Sequence, residues 1–161
     1  MNIARLLHKA KAAGVMIATA ESCTGGMISA ALTDIPGASA VMDRGFVTYT
    51  NAAKTEMLGV RVETLAAYGA VSEEVAREMA AGALNNSAAG LAVSVTGIAG
   101  PGGSEFKPEG RVCFGMARTG ARVITETIDF GPLGRARVRA IARAHALALL
   151  DRALDYTVLQ R

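Results

Sequence analysis

Residues 15–35 read "VMIATAESCTGGMISAALTDI", and the fold follows from how this stretch divides. Val15 to Ala20 is a short apolar run suited to a buried strand. The glycine pair Gly25 and Gly26 ends a polar turn, and "MISAALTDI" resumes with helical apolar spacing before "PGAS" stops it. A buried strand feeding a helix through a tight turn is the building unit of α/β proteins. The turn also sets a carboxylate, a hydroxyl and a thiol side by side, Glu21, Ser22 and Cys23. One reading makes these a polar helix cap on a glycine turn; the other makes them a reaction centre.

The same logic extends along the chain. Asn2 is placed to cap a first helix carrying Ile3, Leu6 and Leu7, which Gly14 would end. "AVMDRGFVTYT" (40–50) predicts one or two strands broken near Asp43 and Arg44, and Asn51 is the expected cap of the helix "AAKTEMLG". A short helix near "RVETLAAYG" precedes a longer one capped by Ser72, with Glu73 and Glu74 in its favourable first turn. "LAVSV" (91–95) is a further buried strand. "RVCFGMA" and "RVITETIDF" joined across "RTGA" predict a hairpin, and a last helix runs from about Leu133 or Gly134 to about Tyr156. Strands alternating with helices imply a parallel core, and the hairpin adds an antiparallel neighbour. The expectation is one domain over residues 1–161, a three-layer α/β/α sandwich with a mixed, mostly parallel sheet.

Composition narrows the function classes. Half of the residues are hydrophobic, 19% are charged, and tryptophan is absent, which suits helices packed tightly on a sheet. The net charge of +3, few aromatics and no recognised reading motif speak against nucleic acid as partner. The basic side is 13 Arg against four Lys, with Arg135, Arg137, Arg139 and Arg143 clustered late, a bias that suits a small anionic ligand. Two distant cysteines, Cys23 and Cys113, form neither a disulfide framework nor a metal spacing, which is compatible with a reducing cytoplasm. No run approaches a membrane span and the N-terminus lacks a leader's apolar core, which predicts a cytoplasmic protein; a homo-oligomer is the working expectation.

Three segments leave apolar strands as polar or glycine-rich turns: "ESCTGG" (21–26), "TYTNAAK" (48–54) and "TGIAGPGG" (96–103). In open α/β sheets ligands bind beyond the carboxyl ends of the strands, so these three should converge. Ser22 is the natural nucleophile, with the amides of Thr24, Gly25 and Gly26 placed to receive an oxyanion. His8 and His145 read as core or surface histidines. Lys54 is the alternative base, because the first turn of a helix opposes its charge, and Tyr49 could share its hydrogen bonds; the plainer reading is an exposed lysine beside a rim tyrosine. Cys23 competes with Ser22, and Glu21 could orient the amine or bond turn amides instead. The glycine loop is neither a dinucleotide fingerprint nor a P-loop. Thr96, Gly97 and Gly100, with Lys107 nearby, are candidates to let backbone approach a ligand. Arginines in the first turn of the last helix, Arg135 and Arg139 among them, stand where the dipole disfavours them, and an anion there would relieve the conflict; a solvated basic face is the alternative.

Taken together, "TAESCTGG", "DRGFVTYTNAAKTEMLGV", "YGAVSEEVAREMA", "SVTGIAGPGG" and "KPEGRV" resemble the C-terminal domain family of the competence/damage-inducible protein CinA, over about Ala4 to Leu150. The resemblance implies an α/β/α mixed-sheet fold and hydrolysis of nicotinamide mononucleotide to nicotinic acid mononucleotide and ammonia, in pyridine-nucleotide recycling. It implies a nucleophile at Ser22 with Tyr49 and Lys54 as its partners, with no metal needed and no cofactor expected; the competence name is no ground for inferring DNA processing. Where the family often has "GDR" followed by "VR", this chain has "GPLGRARVR": Arg135 and Arg139 align and the aspartate does not. A non-catalytic nucleotide-binding module of the same fold is the competing class of function.

Overall fold

The structure, a computed structural model, describes residues 2–104 and 106–158. Its elements follow in the order α1 (Ile3–Ala13), β1 (Ile17–Glu21), α2 (Met27–Thr33), β2 (Met42–Val47), α3 (Asn51–Leu58), α4 (Val62–Tyr68), α5 (Glu73–Asn85), β3 (Leu91–Gly97), β4 (Arg111–Arg118), β5 (Ile124–Asp129) and α6 (Arg135–Val158). The five strands form one sheet in the order β2-β1-β3-β4-β5. β1 pairs in parallel with β2 and β3, while β4 and β5 add the antiparallel hairpin. The mixed sheet is the architecture the strand and helix pattern predicts.

Local chemistry explains the element ends. Asn2 accepts from the Arg5 amide at 3.1 Å to cap α1, and Gly14 closes it in the left-handed region at φ 64°. Ser72 caps α5 by accepting from the Val75 amide at 3.2 Å. The break expected near Asp43 is a bulge within one continuous strand: Ile17 pairs with Met42 and Ala18 with Arg44, leaving Asp43 extra. The Asp43 carboxylate there accepts from the Ala88 amide and the Arg44 guanidinium.

The two faces of the sheet differ in side-chain size, and this sets the layer spacing. Ile17, Leu91, Val93, Val112 and Phe114 fill one face under α1, α2 and α6, packing on Leu6, Ile28, Leu32, Val138 and Leu150. The other face carries Ala18, Ala20, Ala92 and Ala117 with Ser94 and Gly115, and α5 settles on it through Val75, Met79, Ala80 and Ala83. Small residues let α5 lie close: the Ser94 hydroxyl donates to the Ala76 carbonyl at 2.6 Å, and a Cβ on Gly115 would run into that same carbonyl. With both faces covered, the carboxyl ends of β1, β2 and β3 open onto one edge, and the three polar turns meet there.

Candidate active site

β1 ends at Glu21, which is fully buried, and the chain turns through Ser22 to Gly26 before α2 begins at Met27. Gly25 and Gly26 sit at φ 57° and 100°, conformations that favour glycine. The helix therefore starts five residues after Ser22 and its N-cap, Gly26, has no side chain to offer. Glu21 supplies the cap from a distance. Its Oε1 accepts from Thr24 Oγ1 at 2.8 Å and the Ile28 amide at 2.9 Å; its Oε2 accepts from the Ser29 amide at 3.1 Å, Ser29 Oγ at 3.0 Å and Thr19 Oγ1 at 3.3 Å. Of the two roles open to Glu21, the structure places it on turn and helix amides.

The cap of α3 is Thr50, whose hydroxyl accepts from the Ala53 amide at 3.0 Å, and Asn51 is the first helical residue instead of the expected cap. Lys54 is 1% exposed, the largest side chain in the fully buried set, and its ammonium has no carboxylate partner among the described residues. Its Nζ lies 3.0 Å from Ser22 Oγ, 2.9 Å from the Thr48 carbonyl and 3.2 Å from the Tyr49 carbonyl. Burial holds its pKa below the ordinary lysine value. The Thr48 and Tyr49 carbonyls accept N–H bonds from Nζ, and the Ser22 hydroxyl accepts a third from an ammonium or donates to the lone pair once the amine is neutral.

Cys23 belongs to the apolar core under α2 and α6, and burial pushes its thiol up to about 11, so it stays protonated at neutral pH. Tyr49 reaches Lys54 through its backbone carbonyl, not its phenol: the side chain is 57% exposed and its hydroxyl accepts from Arg135 at 2.7 Å. Arg135 also donates to the Gly100 carbonyl at 2.9 Å, tying the start of α6 to the glycine loop.

These residues enclose a cavity of about 190 Å³ that includes Ser22, Lys54, Asn51, Thr96, Gly97 and Arg135. It adjoins a wider recess of about 350 Å³ floored by Gly97 to Ser104, and Tyr49 and Arg135 border both. Lys107 lines the recess, but its ammonium is held by the Tyr68 and Val71 carbonyls, each at 2.6 Å. Ser22, Lys54, Tyr49, Thr96, Gly97, Gly100 and Arg135 thus converge on one edge, as their positions after the strands predict.

Four of the expected contacts do not reach this cavity. Thr24, Gly25 and Gly26 are absent from its lining: Thr24 is buried with its hydroxyl on Glu21, and the Gly25 amide donates to the Ser22 carbonyl at 3.1 Å to close the turn. Arg139 is also absent, since its guanidinium donates to the Cys23 and Thr24 carbonyls at 3.0 and 3.4 Å and braces the turn from behind. His145 lies elsewhere, packed on Phe114 with ring centroids 4.6 Å apart and Nε2 against Glu126. Asn51 is the lining residue that sequence reasoning missed. Two adjacent cap-capable side chains, Thr50 and Asn51, were the available signal, because only one of them can cap.

A mixed α/β sheet, covered on both faces, thus sets a buried lysine against a serine at its carboxyl edge. The match to known proteins is specific: residues 2–154 fit the CinA C-terminal domain, and the chain belongs to that family. It is 54% identical over 141 residues to the nicotinamide-nucleotide amidohydrolase PncC of Escherichia coli K12, covering 87% of this chain and 85% of that protein. A CinA-like protein of Chloroherpeton thalassium is 58% identical over 124 residues, and the chain spans only about 30% of that longer relative's length. Among solved structures, the competence/damage inducible protein CihA of Agrobacterium tumefaciens superposes with a TM-score of 0.91 at 49% identity, over 95% of this chain and 93% of that one. A CinA superfamily protein from Klebsiella pneumoniae gives 0.90 at 37% identity, over 97% and 99%. Among the described residues no helix is long and apolar enough to cross a membrane.

Proposed function

We propose that this chain is an amidohydrolase that converts nicotinamide mononucleotide to nicotinic acid mononucleotide and ammonia, with Ser22 as nucleophile and Lys54 as base. The observation that carries this reading is the 3.0 Å contact between Ser22 Oγ and a buried lysine whose other two contacts are carbonyls. An ammonium in that place would lack a counter-charge; a neutral amine is fully satisfied and basic. The relatives named PncC supply the substrate class, and the two adjoining cavities, one reactive and one glycine-lined, suit a carboxamide ring joined to a phosphate.

In the reaction, the Ser22 proton passes to Lys54 as Oγ attacks the carboxamide carbon. The Lys54 ammonium then protonates the departing nitrogen, ammonia leaves, and water repeats the cycle on the acyl-serine. Arg135, at the border of both cavities, is the candidate phosphate ligand, and an arriving phosphate would compete with the Gly100 carbonyl and the Tyr49 hydroxyl for its guanidinium. Tyr49 then serves by its carbonyl on Lys54 and by its hydroxyl on Arg135.

The test is ammonia release from nicotinamide mononucleotide, with free nicotinamide as control. Ser22→Ala should lower the rate at least about a thousandfold while Cys23→Ala stays within about threefold. Mononucleotide binding without any ammonia from the unaltered protein would make it a binding module, and the reverse ranking of the two variants would move the nucleophile to Cys23.

A further inference from the structure

Attack by Ser22 places a negative charge on the former carboxamide oxygen, and that charge needs a hydrogen-bond donor in the cavity. At the start of α2 Glu21 already holds the Ile28 and Ser29 amides and the Gly25 amide closes the turn on Ser22, so of the turn's backbone only Cys23, beside Ser22, also lines the cavity. The polar side chains lining the cavity can be taken in turn. Lys54 is engaged by Ser22 and two carbonyls. Thr96 donates its hydroxyl proton to the Ala70 carbonyl at 2.8 Å. Arg135 donates to the Tyr49 hydroxyl at 2.7 Å and is the candidate phosphate ligand, with Tyr49 beside it, and the Cys23 thiol is packed in the core. Asn51, an exposed residue that lines the cavity together with Ser22 and Lys54, carries a side-chain amide with no protein hydrogen-bond partner among the described residues.

Its position fits the task. Asn51 opens α3 and Lys54 follows three residues later, so the two lie one above the other on the same face of the helix. We infer that the Asn51 side-chain amide is a catalytic group, donating an Nδ2–H bond to the oxyanion that forms when Ser22 attacks a carboxamide. This rests on the proposed function and adds to it a side-chain donor for the oxyanion. As the Ser22 Oγ–carbon bond forms, the carbonyl electron pair moves onto oxygen and meets the Asn51 N–H, while the serine proton goes to Lys54. When the pair returns, the carbon–nitrogen bond breaks and the Lys54 proton leaves with ammonia. An uncharged donor stabilises the oxygen without adding a charge that would alter the protonation of Lys54.

Steady-state ammonia release from nicotinamide mononucleotide decides the matter. Asn51→Ala is expected to lower kcat by about 10²–10³-fold, the usual effect of deleting one side-chain oxyanion donor, with KM within about threefold and the midpoint of the pH–rate profile unchanged. Asn51→Leu keeps roughly the size and brings no charge near Lys54, yet it has no donor and should be no more active than the alanine variant. If Asn51→Ala fails to fold, Asn51→Leu carries the decision. A kcat within threefold of the unaltered protein in either folded variant overturns the inference, as does a raised KM with kcat unchanged, which would be ground-state recognition only. An unaltered protein that releases no ammonia would instead refute the proposed function.

Discussion

Glu21→Gln is nearly isosteric, and the structure gives its cost. Both carboxylate oxygens face a backbone amide: Oε1 accepts from Ile28 N and Oε2 from Ser29 N. A glutamine must set its NH2 group on one of these sides, and there it meets an N–H that cannot invert, whichever way the amide is turned. The hydroxyls of Thr19, Thr24 and Ser29 can rotate to compensate, but the two backbone donors cannot. One charge-assisted hydrogen bond is lost, about 1.5–3 kcal/mol, and one buried donor is left unpaired, about 1–3 kcal/mol. Together this is about 2.5–6 kcal/mol, a large share of the ~5–15 kcal/mol by which a domain is stable. For a chain of 161 residues, each kcal/mol moves the melting temperature by about 2–4 °C, so the variant should melt about 5–24 °C lower. Scanning calorimetry on the two proteins at pH 7 reads this directly. A melting temperature within about 2 °C of the unaltered protein would refute the assignment of Glu21 as the remote cap of α2.

Two further predictions concern the amine and the guanidinium. Because burial depresses the Lys54 pKa below 10.5, the rate should rise with pH through the depressed value. The unfolded state holds the Lys54 proton over that window and the native state does not, so unfolding free energy should also rise with pH up to about the ordinary lysine value; Lys54→Met should remove both trends, as read by kcat/KM and urea titration across pH 6–10 (approximate limits set by the lysine range). Arg135→Ala should raise KM for the mononucleotide by about 10–100-fold, the loss of one or two charge-assisted bonds, and leave the phosphate-free nucleoside, if it is turned over at all, little affected; equal losses on both substrates would remove Arg135 as the phosphate ligand.

What the sequence made legible were features that depend on near neighbours in the chain. Apolar runs bounded by glycine placed β1 and β3, Asn2 and Ser72 were recognisable caps, and three polar turns after strands located the edge where Ser22 and Lys54 meet. What was not legible were choices between equivalent donors and acceptors made over a distance. Nothing in "ESCTGG" tells whether Glu21 binds an amine or a helix seven residues on, and nothing in "TN" tells whether Thr50 or Asn51 caps α3. The lysine shows the same divide: the depressed pKa was foreseen from the helix dipole, whereas burial is its cause in the structure.

The buried carboxylate and the buried amine at this edge account for each other. Had the Glu21 carboxylate paired with Lys54, it would have held the amine protonated, and a protonated amine cannot take the serine proton. Two backbone amides, of Ile28 and Ser29, and the hydroxyl groups of Thr19, Thr24 and Ser29 surround the carboxylate instead. Lys54 is left with two carbonyls and one hydroxyl, a set that a neutral amine satisfies completely. The hydrogen bonds that hold the Ser22 turn in place are therefore the same ones that withhold a counter-ion from the base, so the local fold and the reactivity of the pair have one physical origin.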